Sequence, residues 1–94
     1  MEYELVLVIS PEVSDDDLPA ALEKVNRFFT DKGGTIKETK QWGRRRLSYP
    51  IKRFREASYV LELVELEPED TSEVEAGLRI NEELLRHLLV RQGE

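Results

Sequence analysis

The residues best suited to chemistry in this sequence are basic ones that lie close together near the middle of the chain. Between Lys37 and Arg55 the sequence has eight of its fourteen Lys and Arg residues and a single acid, Glu38. This segment carries a net charge of +7, whereas the whole chain carries −6, so the remainder carries −13. An acidic protein that concentrates its positive charge in one segment indicates a negatively charged partner.

Aromatic residues inside the basic segment favour nucleic acid over bare phosphate. Trp42 and Tyr49 lie among the cations, and nucleic-acid bases offer faces for stacking as well as charge. The alternative is a solvated edge hairpin, in which Lys and Arg discourage association between sheets. We predict that nine residues contact RNA: Lys40, Trp42, Arg44, Arg45, Arg46, Tyr49, Lys52, Arg53 and Arg55.

Other kinds of site find little support in the sequence. The chain has no cysteine, which excludes disulfides and thiolate metal sites, and the lone histidine, His87, is interpreted as structural. Asp15–Asp17 are consecutive and would point about 100° apart on a helix, so they suit a helix start better than a metal site. Arg79 and Asn81 match the residues of acylphosphatase-like enzymes in type only. We therefore predict no catalytic residue, metal site, cofactor or small-molecule substrate.

Six elements are predicted to position the basic segment. Strands are predicted over Tyr3–Ile9, Thr35–Ser48, Ala57–Leu66 and Leu84–Arg91, with one helix from Ser14 to Gly33-Gly34 and another beginning within Pro68–Ser72. One of the two glycines fits the left-handed position after the first helix. The leucines and arginines of Leu84–Arg91 also allow the second helix to continue there. Two right-handed crossovers in this order give an α+β fold, the ferredoxin-like βαββαβ sandwich, in which two helices cover one face of a four-stranded antiparallel sheet. We predict that residues 1–94 form a single domain of this kind.

Local signals refine these elements. Ser14 is predicted to cap the first helix, whose buried stripe runs from Leu18 to Phe28 or Phe29. Gly43 predicts a bend in the second strand, and Tyr49–Glu56 is predicted to be a loop or an extension of the strands around Pro50. The basic residues then lie at the outer end of a hairpin. Gly77 inside the second helix is explained if that helix packs tightly on the sheet.

The sheet is predicted to have one face without helices. In the first strand Tyr3 and its alternate neighbours are assigned to the core, and Tyr59 of the third strand is assigned to the same side. This assignment argues against single-strand RNA recognition by aromatic residues on the open face. The open face is predicted to bind a protein partner through four valines: Val6, Val8, Val60 and Val64.

A sequence pattern that covers essentially the whole chain consists of Trp42–Ile51 followed by Ala57–Leu61, together with the start Tyr3-Glu4 and the segment Leu78–Arg86. This pattern resembles the bacterial small-subunit ribosomal protein S6 family. The resemblance implies the ferredoxin-like fold, no enzymatic activity, and binding of small-subunit ribosomal RNA together with ribosomal protein S18. By position Arg44–Arg46 match the basic hairpin of the family.

The sequence departs from the family pattern at a few points. Ser48 replaces the usual alanine, and Glu82 stands where aspartate is common. Many members have a C-terminal tail beyond the last strand, whereas this sequence ends at Gln92-Gly93-Glu94, so what the resemblance implies does not extend to such a tail. The longest apolar run, Leu5–Ile9, is too short for a membrane span or a signal peptide, and we expect a cytoplasmic protein.

The charge distribution leads to expectations about RNA binding and oligomeric state. We expect the acidic helices to face away from RNA, the isolated protein to be a monomer that binds RNA weakly, and a partner protein to supply further positive charge. The alternative hypothesis is a homo-oligomeric ferredoxin-like sensing or interaction module, in which the basic hairpin pairs with the acidic helices of a neighbouring copy. The two hypotheses differ in oligomeric state at low salt.

Overall fold

The chain forms four strands and two helices in the predicted order, in a computed structural model that describes residues 1–93; Glu94, the last residue of the predicted domain, lies outside the described residues. A 3₁₀ turn, Pro68–Asp70, precedes the second helix. The elements are β1 (Glu2–Ile9), α1 (Leu18–Asp31), β2 (Thr35–Ile51), β3 (Phe54–Glu65), α2 (Thr71–Arg79) and β4 (Leu84–Arg91).

The strands form one sheet in the order β2-β3-β1-β4, and all neighbouring strands are antiparallel. β1 is central, so that Leu7 lies opposite Val60 of β3 on one side and opposite His87 of β4 on the other. This topology confirms the ferredoxin-like α+β fold. The edge strands are β2, which contains the basic segment, and β4.

The core lies between the sheet and the two helices. Tyr3, Leu5 and Leu7 of β1 pack in one cluster with a stripe of α1 and with Val74 and Leu78 of α2. The α1 stripe has the predicted spacing and ends with Phe29, which is fully buried. Its members are Leu18, Ala21, Leu22, Val25 and Phe29. Hydrophobic burial on this face is the main source of stability in such a layer.

The pairing register corrects the predicted faces of β3. Val60 and Val64 lie opposite Leu7 and Tyr3, are 0 % and 1 % exposed, and belong to the core under the helices, so they do not form part of the open face. Tyr59 lies opposite Val8 and is on the open face, not on the core side. The prediction for β3 was wrong by one residue in register, which exchanges the two faces of a strand.

The start of α1 differs from the prediction. The helix begins at Leu18 with Pro19 in its first turn, and Asp17 occupies the capping position without a side-chain cap. Ser14 instead accepts a hydrogen bond at Oγ from the backbone N–H of Asp17 (3.2 Å), in a turn that precedes the helix. Gly33, at φ +93°, takes the predicted left-handed position after the helix. Neither helix found within residues 1–93 is long and apolar enough to cross a membrane.

Gly77 allows close packing between the helices rather than against the sheet. A Cβ atom at this position of α2 would overlap the ring of Phe28, which projects from α1. The tight contact predicted for Gly77 therefore exists, but its partner is the other helix.

A carboxylic acid is buried in the core beneath α1. Glu62 of β3 is 0 % exposed, and the polar groups around it are uncharged: Thr39 of β2 donates a hydrogen bond to Oε2 (3.0 Å), and Asn26 of α1 lies on the other side. Burial raises the pKa of Glu62 above its ordinary value, and the hydrogen bonds from Thr39 and Asn26 offset part of this effect. Asn26 Oδ1 and Glu62 Oε1 are both buried and lack a hydrogen-bond partner within the described residues.

Candidate nucleic-acid interface

The β2–β3 hairpin extends beyond the rest of the sheet. β2 has 17 residues and β3 has 12, whereas β1 and β4 have eight each. β1 ends with Ile9 opposite Ser58, so the first residues of β3 pair with β2 alone. The last pair is Ile51 with Phe54, joined by a two-residue turn. We call the part of the hairpin from Gly43 to Ala57 the hairpin arm.

The arm presents its arginines on two sides. Arg44 lies opposite Ser58, which faces the helices, and Arg45 lies opposite Ala57 on the open-face side. Arg46 follows on the same side as Arg44 because successive residues of a strand point to opposite faces. The three consecutive arginines therefore do not form one cluster. Arg45 lies on the open-face side of the arm, and Arg44 and Arg46 lie on the side of the helices.

A wide bulge bends β2 over the open face of the sheet. Between the pairs that Arg46 and Ile51 make with β3, four residues of β2, Leu47–Pro50, lie opposite a single residue, Arg55. Pro50 has no N–H to donate to a strand ladder, and the bulge places it where none is needed. The bulge also brings the hydroxyl of Tyr49 to 3.4 Å from the guanidinium of Arg86 on β4.

Acidic residues contact the arm on the side of the helices. The guanidinium of Arg44 lies 3.9 Å from the carboxylates of both Asp15 and Glu56. Arg53 donates a hydrogen bond to Glu12 at 3.0 Å. Asp15 and Glu12 belong to the loop between β1 and α1, so this loop neutralises part of the charge of the arm and fixes its orientation.

The other cations of the arm have no such partners. Among residues 1–93, no carboxylate lies within 4 Å of the charged groups of four of them: Arg45, Arg46, Lys52 and Arg55. Arg45 Nε donates to the carbonyl of Trp42 (3.2 Å). Lys52 has φ +58°, an uncommon backbone conformation for a residue with a Cβ, and it occupies the first position of the two-residue turn.

The structure places all nine predicted RNA contacts on the hairpin. Eight belong to the arm or adjoin it at Trp42, and Lys40 lies farther back, opposite Leu61 on the open face and 3.8 Å from Glu38. Trp42 and Tyr49 are 46 % and 62 % exposed. Two residues that border this surface were not predicted: Tyr59, because its face was misassigned, and Arg86, because it is isolated in sequence from the basic segment. The alternation of β4 about the buried His87 is the signal that places Arg86 on the open face.

An apolar band covers the other end of the open face. Leu88 and Val90 of β4 are 52 % and 43 % exposed, and Val6 lies beside Leu88 in the register. Leu61 and Leu63 of β3 complete the band. Of the four valines predicted for a protein partner, Val6 is part of this surface. Val8 has the predicted orientation but is only 5 % exposed because neighbouring side chains cover it, and Val60 and Val64 face the helices.

Groups that could hold a metal are not found in the part of the chain that the structure describes, since no three His, Asp or Glu side chains converge there. The single histidine has a structural contact instead. His87 is almost buried under α2, and its Nε2 lies 2.8 Å from the carboxylate of Glu75.

Comparisons with known proteins agree with this geometry. Residues 2–91 match the family model described as ribosomal protein S6. The chain is 35% identical to the small ribosomal subunit protein bS6 of Desulforamulus reducens over 98% of this chain and 97% of that protein, and 35% identical to the bS6 protein of Desulforudis audaxviator over 97% of both. The crystal structure of the 30S ribosomal protein S6 from Thermotoga maritima superposes with a TM-score of 0.88 at 25% identity, covering 97% of this chain and 86% of that chain.

Proposed function

The chain belongs to the ribosomal protein S6 family of the small ribosomal subunit, and on that basis we propose that it binds small-subunit ribosomal RNA through the hairpin arm, together with ribosomal protein S18. Its role is structural and not enzymatic, and its location is the cytoplasmic ribosome. The residue-level statements that follow are our proposal.

The observation that carries the proposal is the group of arm cations without acidic partners. Arg45, Arg46, Lys52 and Arg55 project from a hairpin that stands clear of the central strands. Arginine matches the geometry of phosphate oxygens and remains charged at any physiological pH. Cations held on a strand pair that extends beyond the sheet suit contact with an RNA backbone.

The apolar band on the open face is the proposed site for ribosomal protein S18. The band consists of Val6, Leu61, Leu63, Leu88 and Val90 and lies on the same face of the sheet as Arg45 of the arm, so a protein partner and RNA can contact one face. Because the net charge of the chain is −6, the isolated protein as a whole attracts RNA only weakly. We therefore propose a monomer outside the ribosome whose RNA binding is weak without the partner.

The decisive experiment compares two triple variants for incorporation into small subunits that lack this protein. One replaces Arg44, Arg45 and Arg46 by Ala, and the matched control replaces three cations in and directly after α1 by Ala: Lys24, Arg27 and Lys32. Circular dichroism first verifies that both variants fold. We expect the arm variant to lose at least tenfold in co-sedimentation with the subunits at moderate salt, because each lost phosphate contact weakens binding and its salt dependence. The control should be incorporated like the wild type.

Equal incorporation of the two variants would contradict the arm as the RNA contact and leave the protein partner as the main determinant of docking. The oligomeric state is tested separately by sedimentation velocity at low salt. A stable homo-oligomer that dissociates as salt is added would favour the alternative interaction module, whereas a monomer at all salt concentrations supports the proposal.

A further inference from the structure

A small pocket lies at the corner where the bulge of β2 bends over the open face. Val8 lies opposite Tyr59 on one side and opposite Arg86 on the other, so these two side chains are neighbours across the buried valine. Tyr49 reaches over them from the bulge, and its hydroxyl lies 3.4 Å from Arg86. The pocket has a volume of about 130 Å³, and Leu47, Ser48 and Ile51 form the rest of its wall.

The size and lining of the pocket restrict what it can hold. Pockets for whole small molecules usually have at least ~300 Å³, so a volume of about 130 Å³ suits one ring of a larger ligand. Two tyrosine rings offer stacking surfaces, and a guanidinium beside them offers several N–H donors in one plane. A planar ring attached to an anion matches this combination.

We propose that the pocket binds one unpaired RNA base, stacked against Tyr59 or Tyr49, while Arg86 donates hydrogen bonds to the phosphate of the same nucleotide. The proposal rests on the RNA-binding function proposed above and adds a second contact, on a different strand, to that of the arm. Bases are accessible for stacking only in loops, bulges and single strands of RNA. The pocket would therefore select an unpaired nucleotide next to the helical segment that the arm contacts.

Charge on the open face supports RNA over a protein side chain as the occupant. Arg45 lies on the same face as Arg86, toward the arm, and Lys40 lies on that face farther back, opposite Leu61. Within the described part of the chain no carboxylate lies within 4 Å of the Arg86 guanidinium, so its charge is available. The pocket is thus continuous with the cationic arm on one side and with the apolar band on the other.

The test separates base recognition from phosphate binding. Isotope-labelled protein is titrated at low salt with an eight-nucleotide single-stranded oligoribonucleotide and with an abasic strand of the same length, and nuclear magnetic resonance follows the tyrosine rings and the backbone amides of the arm. We expect both strands to shift the amides of Arg44–Arg46, and only the base-bearing strand to shift the rings of Tyr49 and Tyr59.

Substitutions at Tyr59 then quantify the stacking. Tyr59→Leu should lower affinity for the base-bearing strand about tenfold and leave the abasic strand unaffected, since one stacked base contributes about 1–3 kcal/mol. Tyr59→Phe, which keeps the ring, is the matched control and should bind like the wild type. Arg86→Gln provides a second variant, outside the bulge, that should also lower the affinity for the base-bearing strand.

The possible outcomes distinguish this pocket from the arm. Shifts at the arm with both strands but none at Tyr49 and Tyr59, or equal affinities of Tyr59→Leu and Tyr59→Phe, would overturn the pocket while leaving the proposed function intact. Absence of any shift, at the arm as well as at the pocket, at millimolar strand and low salt would overturn both.

Discussion

The two faces of the sheet are made by alternate residues of the same strands, yet their compositions contradict the usual rule. In β3 the face covered by helices contains Ser58 and Glu62, whereas the open face contains Tyr59, Leu61 and Leu63. Binary patterning would assign the aromatic and leucine-rich face to the core. The difference teaches that a strand's more apolar side can lie on the face without helices, where exposed apolar surface is typical of binding surfaces.

The covered face of β3 accommodates its two polar residues through their position in the sheet and their local contacts. Ser58 lies near the end of the sheet, where its neighbours in the register are Ile9 of β1 and Arg44 of β2. Glu62 accepts a hydrogen bond from Thr39, and burial raises its pKa, which favours the uncharged form. Neither polar residue therefore interrupts the apolar contacts that Val60 and Val64 make with the helices.

The largest expected effect comes from removing a leucine on the covered face. Leu5 is 0 % exposed and Leu88 is 52 % exposed, although the two residues lie on neighbouring strands. Leu5→Ala should reduce the free energy of unfolding by about 3 kcal/mol, because it removes buried methyl groups and leaves a cavity. The matched control Leu88→Ala should cost less than about 1 kcal/mol.

Urea unfolding followed by circular dichroism measures both values. Equal losses for the two variants would mean that the open face is covered in the isolated protein, by self-association for example. Repeating the measurement at a tenfold lower protein concentration tests that explanation, since only an oligomer loses stability on dilution.

A smaller and pH-dependent effect is expected at Glu62. In the unfolded chain the carboxyl titrates near its ordinary pKa of 4.5, whereas in the fold its pKa is raised by burial. Below pH 4.5 the group is protonated in both states and its contribution is fully present; as pH rises through the raised pKa, the fold must hold a buried charge and stability is lost. Glu62→Gln does not titrate, so its free energy of unfolding should exceed that of the wild type by about 2 kcal/mol at pH 8 and by little at pH 4.

Unfolding free energies of both proteins from pH 4 to pH 8 give this difference directly. Glu38→Gln is the control, because Glu38 lies on the adjacent strand with an exposed side chain. Its difference from the wild type should change little with pH. A difference for Glu62→Gln that is constant across the range would show that Glu62 is not neutral in the fold.

The order of elements and the fold were predictable because their signals are local. Alternation in β1, the three-four spacing of α1 and the glycine after it each report on one element. The faces of β3 were not predictable, because its apolar side lies on the open face of the sheet and its polar side depends on Thr39 and Asn26, which are distant in sequence. Register between strands decides such cases, and no local pattern reports it.

The candidate site could likewise be predicted from the sequence only in part. A run of cations identified the hairpin, since charge density is visible in the sequence. The contribution of Arg86 depends on the pairing of β4 with β1 and on the bulge that carries Tyr49 over the sheet. The partners of Arg44 and Arg53, Asp15 and Glu12, lie about 30 to 40 residues away in sequence, and only the fold brings them together.

The smallest expected effect concerns the acidic loop beside the arm. Glu12 accepts a hydrogen bond from Arg53 at 3.0 Å, and both side chains are largely exposed. Exposed ion pairs contribute little to stability, so Glu12→Gln should change the melting temperature by less than about 2 °C. It should nevertheless raise affinity for RNA about twofold at low salt, because Arg53 then has no competing carboxylate.

Glu23→Gln is the appropriate control for that measurement, because Glu23 forms an exposed pair with Arg27 on α1, and its substitution changes the net charge equally. A similar gain in both variants would indicate that total charge alone governs binding. A gain confined to Glu12→Gln would show that the loop between β1 and α1 limits the arm locally. In that case the covered side of the hairpin, like the covered face of the sheet, would be held by contacts within the protein, and the open side would be left for its partners.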